Sequence, residues 1–154
     1  MSCAPFVQTP VEVAKRMIQL ADLKPGQTLF DLGAGDGRLV ILAAQHTGAS
    51  AVGVEIRDDL VERARSEIKR LSLEDRVKMI HGDLFHVDLS EADVVTLYLT
   101  TSGNERLRPK LEHELKKGAK VISHDFKVGN WKASIVYNEL LGHTIYTYQI
   151  GEQV

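Results

Sequence analysis

The sequence predicts an α/β protein: a doubly wound, mostly parallel seven-stranded sheet with a terminal antiparallel hairpin. Three observations carry that expectation. Short β-rich runs alternate with longer segments of helical period, the pattern of strands joined by crossover helices. A glycine loop, Gly33-Ala34-Gly35-Asp36-Gly37, stands between the first strand and the helix after it. The last two β-rich runs have only the turn at Leu141-Gly142 between them, so they pair as a hairpin and not through a crossover.

Thr9-Pro10-Val11-Glu12 opens the first helix: Thr9 suits the cap, Pro10 the first helical position and Glu12 the capping box. Val13, Met17, Leu20 and Ala21 give it one apolar face, and Lys24-Pro25-Gly26 ends it in a turn. Thr28–Leu32 is the first strand. After the glycine loop a helix runs from about Arg38 to Thr47 and stops at Gly48. Ala51–Ile56 is the second strand. From Asp58 to about Leu71 a helix carries Leu60, Ala64, Ile68 and Leu71 on one side, with its acids early and its bases late. Strands recur at Val77–His81, Ala92–Leu99 and Ala119–Phe126. Another helix spans about Asn104 to Lys117 and stops at Gly118; Pro109 favours a start nearer to itself. Ser134–Glu139 and His143–Ile150 form the closing hairpin.

The chain has 154 residues, 44% apolar and 26% charged, the balance of a single globular domain over residues 1–154. A net charge of −2 argues against a sequence-independent grip on nucleic acid. The one cysteine, Cys3, excludes an internal disulfide and a cysteine-based metal cluster. No apolar run approaches the roughly 20 residues of a membrane span. The start, Met-Ser-Cys-Ala-Pro, has neither region of a secretory signal, so a cytoplasmic setting is expected. His81-Gly-Asp83 and His86-Val-Asp88 match no closed metal-site spacing, and no metal is expected. Arg57, Arg63, Arg65, Lys69, Arg70 and Arg76 interleave with Glu62 and Glu67 and read as a solvated face.

A glycine loop between strand and helix places a nucleotide-like ligand above the strands' carboxyl ends. The spacing is G-x-G-x-G, with Arg38 where the dinucleotide fingerprint has its third glycine, Asp31 ahead of the loop and Asp36 within it. Two anions there repel a pyrophosphate. S-adenosylmethionine has no phosphate: its ammonium and sulfonium suit the acids, and its carboxylate suits the loop N–H groups. Glu55 ends the second strand, 18 residues past Gly37, where an acid can accept both ribose hydroxyls. Gly82-Asp83 after the third strand offers an acceptor to the adenine amino group.

In this arrangement the chain resembles the class I S-adenosylmethionine-dependent methyltransferases, with Asp31-Leu-Gly-Ala-Gly-Asp-Gly37 as its first motif. That family has a Rossmann-like seven-stranded sheet whose last strand is antiparallel. Five segments narrow the likeness: Phe6-Val-Gln-Thr-Pro10, Gly53-Val-Glu-Ile56, Val94-Val-Thr-Leu-Tyr-Leu99, Asn104-Glu-Arg-Leu-Arg-Pro-Lys-Leu111 and Val121-Ile-Ser-His-Asp-Phe126. With the tail from His143 to Glu152, they are similar to archaeal protein-lysine methyltransferases of broad specificity. They also resemble mitochondrial enzymes acting on lysines of the ATP-synthase c-subunit and the adenine nucleotide translocase, and more distantly the histone methyltransferase without a SET domain. The likeness covers about residues 6 to 152.

The resemblance implies that Asp31, Gly33 and Gly35 hold the methionine end of the cofactor, Glu55 the ribose, and Asp83 with Leu84 the adenine. Arg38 and Tyr98 complete the cofactor-binding set. Phe6 and Thr9 belong to an N-terminal lid formed by residues 1–10, in which Gln8 replaces a proline common in the archaeal group. Tyr98 follows the fourth strand where the histone enzyme has an asparagine and the archaeal pattern an aromatic.

Methyl transfer to lysine needs the neutral amine, because an ammonium has no lone pair to attack with. An apolar, aromatic-walled channel disfavours the charged form, and Phe6, Tyr98 and Trp131 are candidates for its walls. Such a channel can work without a dedicated base, and if there is one, His124 and Asp125 are its candidates; Tyr98, His124 and Asp125 are the candidate catalytic residues. A hydrogen-bonded structural role for His124, and a packing role for Trp131, are the other readings. The Asn/Asp-Pro-Pro-Tyr/Phe motif of adenine-N6 enzymes is missing at Tyr98-Leu-Thr-Thr101, and Cys3 is misplaced for cytosine-C5 chemistry. The expected partners are proteins bearing lysine, with a monomer favoured and no membrane; a small-molecule or RNA substrate is the alternative.

Overall fold

The computed structural model describes residues 8–154, and the Cys3 and Phe6 expectations lie outside that range. Its elements in chain order are α1 (Val11–Ala21), β1 (Thr28–Leu32), α2 (Arg38–Thr47), β2 (Ser50–Glu55), α3 (Asp58–Arg70), β3 (Val77–His81), β4 (Val94–Leu97), α4 (Thr101–Glu114), β5 (Lys120–His124), β6 (Ile135–Leu140) and β7 (His143–Gln149). They build one seven-stranded sheet of order β3-β2-β1-β4-β5-β7-β6. β1 to β5 pair in parallel, whereas β7 is antiparallel to both β5 and β6. The strand order reverses between β1 and β4, the place where an open α/β sheet leaves a crevice for a ligand.

Alternate residues of each strand feed two cores. Leu29, Ala51, Val94 and Ile122 pack with Met17, Val40 and Val61 of α1, α2 and α3 on one face. Phe30, Leu32, Val95 and Val121 pack with Leu107 and Leu111 of α4, Trp131 and Tyr148 on the other. Both faces of the parallel strands are therefore covered, which is why they read as near-continuous apolar runs.

Two helix starts differ from the sequence expectation. α1 begins at Val11 with Pro10 as its cap residue, and no side chain caps it. The Thr9 hydroxyl instead lies 3.3 Å from Nδ1 of His124, so a tertiary partner has taken the group from the helix end. α4 begins at Thr101, three residues earlier than expected, because Thr100 accepts a hydrogen bond from Gly103 N at 2.9 Å. That cap outweighs Pro109, which stays inside the helix. β4 and β5 are shorter than their apolar runs: Leu99 and Phe126 continue past the last ladder residues into the loops above the sheet.

The glycine loop is shaped by what surrounds it. Gly33 N and Ala34 N donate to Val54 O at 2.8 and 2.9 Å, turning the chain sharply over the end of β2. Gly37 has φ +82°, and a Cβ there would lie 2.9 Å from the Cβ of Ala64 on α3. Substituting Gly37→Ala combines a strained backbone with a clash against a packed helix. We expect a loss of about 1–3 kcal/mol in urea denaturation.

Candidate active site

The carboxyl ends of the parallel strands lie along one edge of the sheet, and parallel register aligns the residues there. Asp31 of β1 stands opposite Gly53 of β2 and Thr96 of β4; Glu55 ends β2, Tyr98 follows β4, and His124 ends β5. One cleft brings together Thr9, Asp31, Gly33, Gly35, Arg38 and Tyr98, with Gln8 and Asp36 at the same opening. Glu55, Asp83, Leu84, His124 and Asp125 border this edge without lining that cleft.

Asp31 is 8% exposed, and Thr96 Oγ1 donates to its Oδ1 at 2.8 Å. Among the described residues its carboxylate has no ion pair. Burial pushes its pKa up to about 7; the Thr96 bond opposes the shift and the Glu55 charge adds to it. Thr96 was not legible as a site residue, although its position beside Asp31 follows from the register of β1 and β4.

Glu55 is 7% exposed and works on the protein's own backbone. Its Oε1 accepts from Gly35 N at 2.8 Å and its Oε2 from Arg57 N at 2.9 Å, so one carboxylate ties the glycine loop to the exit of β2. A carboxylate has about four acceptor sites, which leaves lone pairs free on both oxygens.

Asp36 closes the N-terminus of α2. It accepts from Arg38 N at 3.3 Å and pairs with the Arg38 guanidinium at 3.0 Å, while Gln8 Nε2 donates to it at 3.1 Å. Burial alone would raise its pKa, but Arg38 outweighs burial and holds the carboxyl below its ordinary range. A helix terminus already filled by the chain's own anion has no place for a pyrophosphate.

After β3, Asp83 Oδ1 accepts from Phe85 N at 2.9 Å and so shapes its own turn, and Leu84 packs at the rim of the α4-side core. The Tyr98 ring lies 3.9 Å from the His124 ring and 6.3 Å from Phe126, centroid to centroid. Burial, aided by the Asp125 charge, raises the Tyr98 phenol. Trp131 is a packing residue: its Nε1 donates to Glu112 at 2.9 Å and its ring meets Tyr148 edge-on.

His124 has no exposed surface, and both its ring nitrogens have partners. Nδ1 faces Thr9, and Nε2 lies 2.8 Å from Nδ1 of His143. Burial lowers its pKa to about 4, His143 adds to that effect and Asp125 opposes it. Asp125 sits at φ +66° and reaches His143 Nδ1 at 3.2 Å and Thr144 N at 3.0 Å. His143 escaped the sequence reading. The signal was the antiparallel pairing of β7 with β5, which sets His124 opposite Ile145 and so brings His143 alongside.

A sheet of this order, with a cleft that ends on a buried acid, is that of a class I S-adenosylmethionine-dependent methyltransferase. The cofactor fits these residues because Asp31 is a buried carboxylate lacking a cation, and the cofactor brings an ammonium. The family model for the ANTKMT methyltransferase domain matches residues 31–135, and the chain belongs to that family. It is 42% identical to a protein-lysine N-methyltransferase of Saccharolobus islandicus (strain REY15A), over 96% of this chain and 94% of that one. It is 33% identical to the adenine nucleotide translocase lysine N-methyltransferase of Mus musculus, covering 88% of this chain but 58% of that longer one. Among solved structures, an RNA methyltransferase from Salinibacter ruber in complex with S-adenosyl-L-homocysteine superimposes with TM-score 0.92 and 47% identity over 96% of each chain.

The Asp31 shift has a stability consequence. Between its ordinary value of 3.8 and about 7, the folded chain holds a proton that the unfolded chain has released. Stability from this group therefore falls as pH rises through that window and is level above it, by at most on the order of 4 kcal/mol. Urea midpoints of the cofactor-free chain between pH 5 and pH 8 should show the fall, and Asp31→Asn should flatten it. Equal slopes in the two proteins would count against the buried, proton-holding carboxyl.

Proposed function

We propose that this chain transfers a methyl group to the ε-amine of lysine residues in proteins, tolerating varied sequence around the lysine, as a monomer in the cytoplasm. The near full-length match to the archaeal protein-lysine N-methyltransferase carries the reading. No helix among the described residues is long and apolar enough to cross a membrane.

S-adenosylmethionine supplies an activated methyl group on a sulfonium. In our reading Asp31 takes its ammonium, and Gly33 and Gly35 allow the backbone close to its amino-acid end. Arg38 holds Asp36 in place at the same opening. The free lone pairs of Glu55 take the ribose hydroxyls, and Asp83 with Leu84 borders the adenine. Our reading keeps residues 1–10 as a lid that includes Phe6 and Thr9; of its described residues, Gln8 donates to Asp36.

The acceptor amine approaches Tyr98. The ring of Tyr98 lies on the buried His124, whose Nε2 is 3.3 Å from Asp125, so His124 and Asp125 contribute by supporting that wall and excluding water. An amine taken out of water there loses its proton more readily, because burial disfavours the charged form. Lone-pair attack then needs alignment more than a base.

Isotopically labelled cofactor incubated with a cell extract tests the substrate class. Label should be sensitive to protease, resistant to ribonuclease and recovered as methyl-lysine. Ribonuclease-sensitive label would instead favour RNA, the reading supported by the name of the Salinibacter structure; label confined to metabolites would sink the protein claim. Tyr98→Ala should lower kcat at neutral pH at least tenfold. Part of the loss should return as pH nears the free lysine value of about 10.4, where the amine sheds its proton unaided.

A further inference from the structure

Three atoms with lone pairs converge where β5 meets β7: Nε2 of His124, Nδ1 of His143 and Oδ2 of Asp125. The two nitrogens are 2.8 Å apart, and the oxygen lies 3.3 Å from the first and 3.2 Å from the second. With Asp125 ionised, protons lie along at most two edges of this triangle, whereas a metal ion would meet all three lone pairs. With the His124 proton on Nδ1 and the His143 proton on Nδ1, the edge between His124 and Asp125 joins two lone pairs. With both protons on Nε2, the edge between His143 and Asp125 does so. With His124 protonated on Nε2 and His143 on Nδ1, two N–H groups face each other across 2.8 Å. With His124 protonated on Nδ1 and His143 on Nε2, no proton lies inside the triangle.

We propose that His124, His143 and Asp125 form a binding site for a divalent transition-metal ion of the zinc type. In a tetrahedral site with metal–nitrogen and metal–oxygen bonds of about 2.0–2.2 Å, neighbouring ligand atoms are about 3.3 Å apart. The observed edges are within about 0.5 Å of that spacing. Two imidazoles and one carboxylate suit zinc, cobalt or nickel, whereas magnesium and calcium call for oxygen ligands.

The surroundings are those of a supported site. The Thr9 hydroxyl at 3.3 Å from His124 Nδ1 can accept its proton, leaving Nε2 as the ligand, and Thr144 N holds the second Asp125 oxygen at 3.0 Å. Asp125 keeps a left-handed backbone, φ +66°, at the position that turns its carboxylate toward β7. The His124 side chain is fully buried, while those of Asp125 and His143 are 24% and 30% exposed, so the fourth position opens outward. Bound there, the ion clasps the ends of β5 and β7 under the Tyr98 ring. His81 and His86, singled out from the sequence, are not in this cluster: His81 meets Ile56 O at 3.1 Å, and His86 lies against Asp83.

The test uses the untagged chain after chelator treatment, titrated with Co2+ by absorption spectroscopy and with Zn2+ by calorimetry, without substrate. One ion per chain, with the visible spectrum of tetrahedral cobalt, is the expected result. His143→Ala and Asp125→Asn should each weaken binding at least tenfold, and His86→Ala should leave it unchanged. Folding of each variant is checked by its melting temperature with S-adenosylhomocysteine. No saturable uptake by the parent chain, or unaltered uptake by both ligand variants, overturns the proposal. Methyl transfer is not the readout, so failure here is separable from failure of the lysine reading.

Discussion

An acid buried near the end of the interior strand β1, with no cation among the described residues, is the constraint around which this molecule is arranged. Asp31 lies inside because β1 is an interior strand of a sheet covered on both faces, and its last-but-one residue reaches solvent only through the cleft. One neutral hydroxyl, from Thr96 on the adjoining strand, meets it. The result is a carboxyl whose charge the empty protein resists and an ammonium-bearing ligand welcomes. Differential preference of that kind turns binding energy into selectivity for a cationic amino acid over a phosphate.

The other acids at the same edge are handled differently, and the contrast explains the cleft. Glu55 spends one lone pair of each oxygen on backbone N–H groups, which fixes the glycine loop before any ligand arrives. Asp36 is neutralised by Arg38 and fills the start of α2. Three carboxylates at one loop thus do three things: Asp31 has no cation among the described residues, Glu55 organises backbone, and Asp36 blocks the helix terminus. Preorganisation of the loop lowers the ordering cost of ligand binding.

Much of this was legible in the sequence, for physical reasons. Strand and helix order follows from periodicity, because buried parallel strands must be apolar throughout and their crossover helices amphipathic. Asp31, Glu55 and the glycines could be read because they stand at fixed offsets from strand ends. The residues that escaped act across the sheet. Thr96 and His143 matter only through register, and register is a pairing between distant segments that no local window contains. Thr9 shows the same limit in reverse: its capping pattern was correct locally, and a histidine 115 residues away took its hydroxyl. Thr100 was different, since its cap lay in plain sight and Pro109 drew the helix start away from it.

The relatives named above bear names for lysine and for RNA as acceptor, and the chemistry of the edge distinguishes what each would need. An RNA ring nitrogen or hydroxyl asks for a base to hand or for a stacked, hydrogen-bonded nucleoside. Here both nitrogens of His124 face protein partners, and the two oxygens of Asp125 reach His143 and Thr144. Among the described residues, the aromatic wall of the cleft is the Tyr98 ring, backed by imidazole. An aromatic face offers a lysine what it requires, attraction for the alkylammonium on entry and loss of water at the point of transfer. Such a wall reads charge and desolvation.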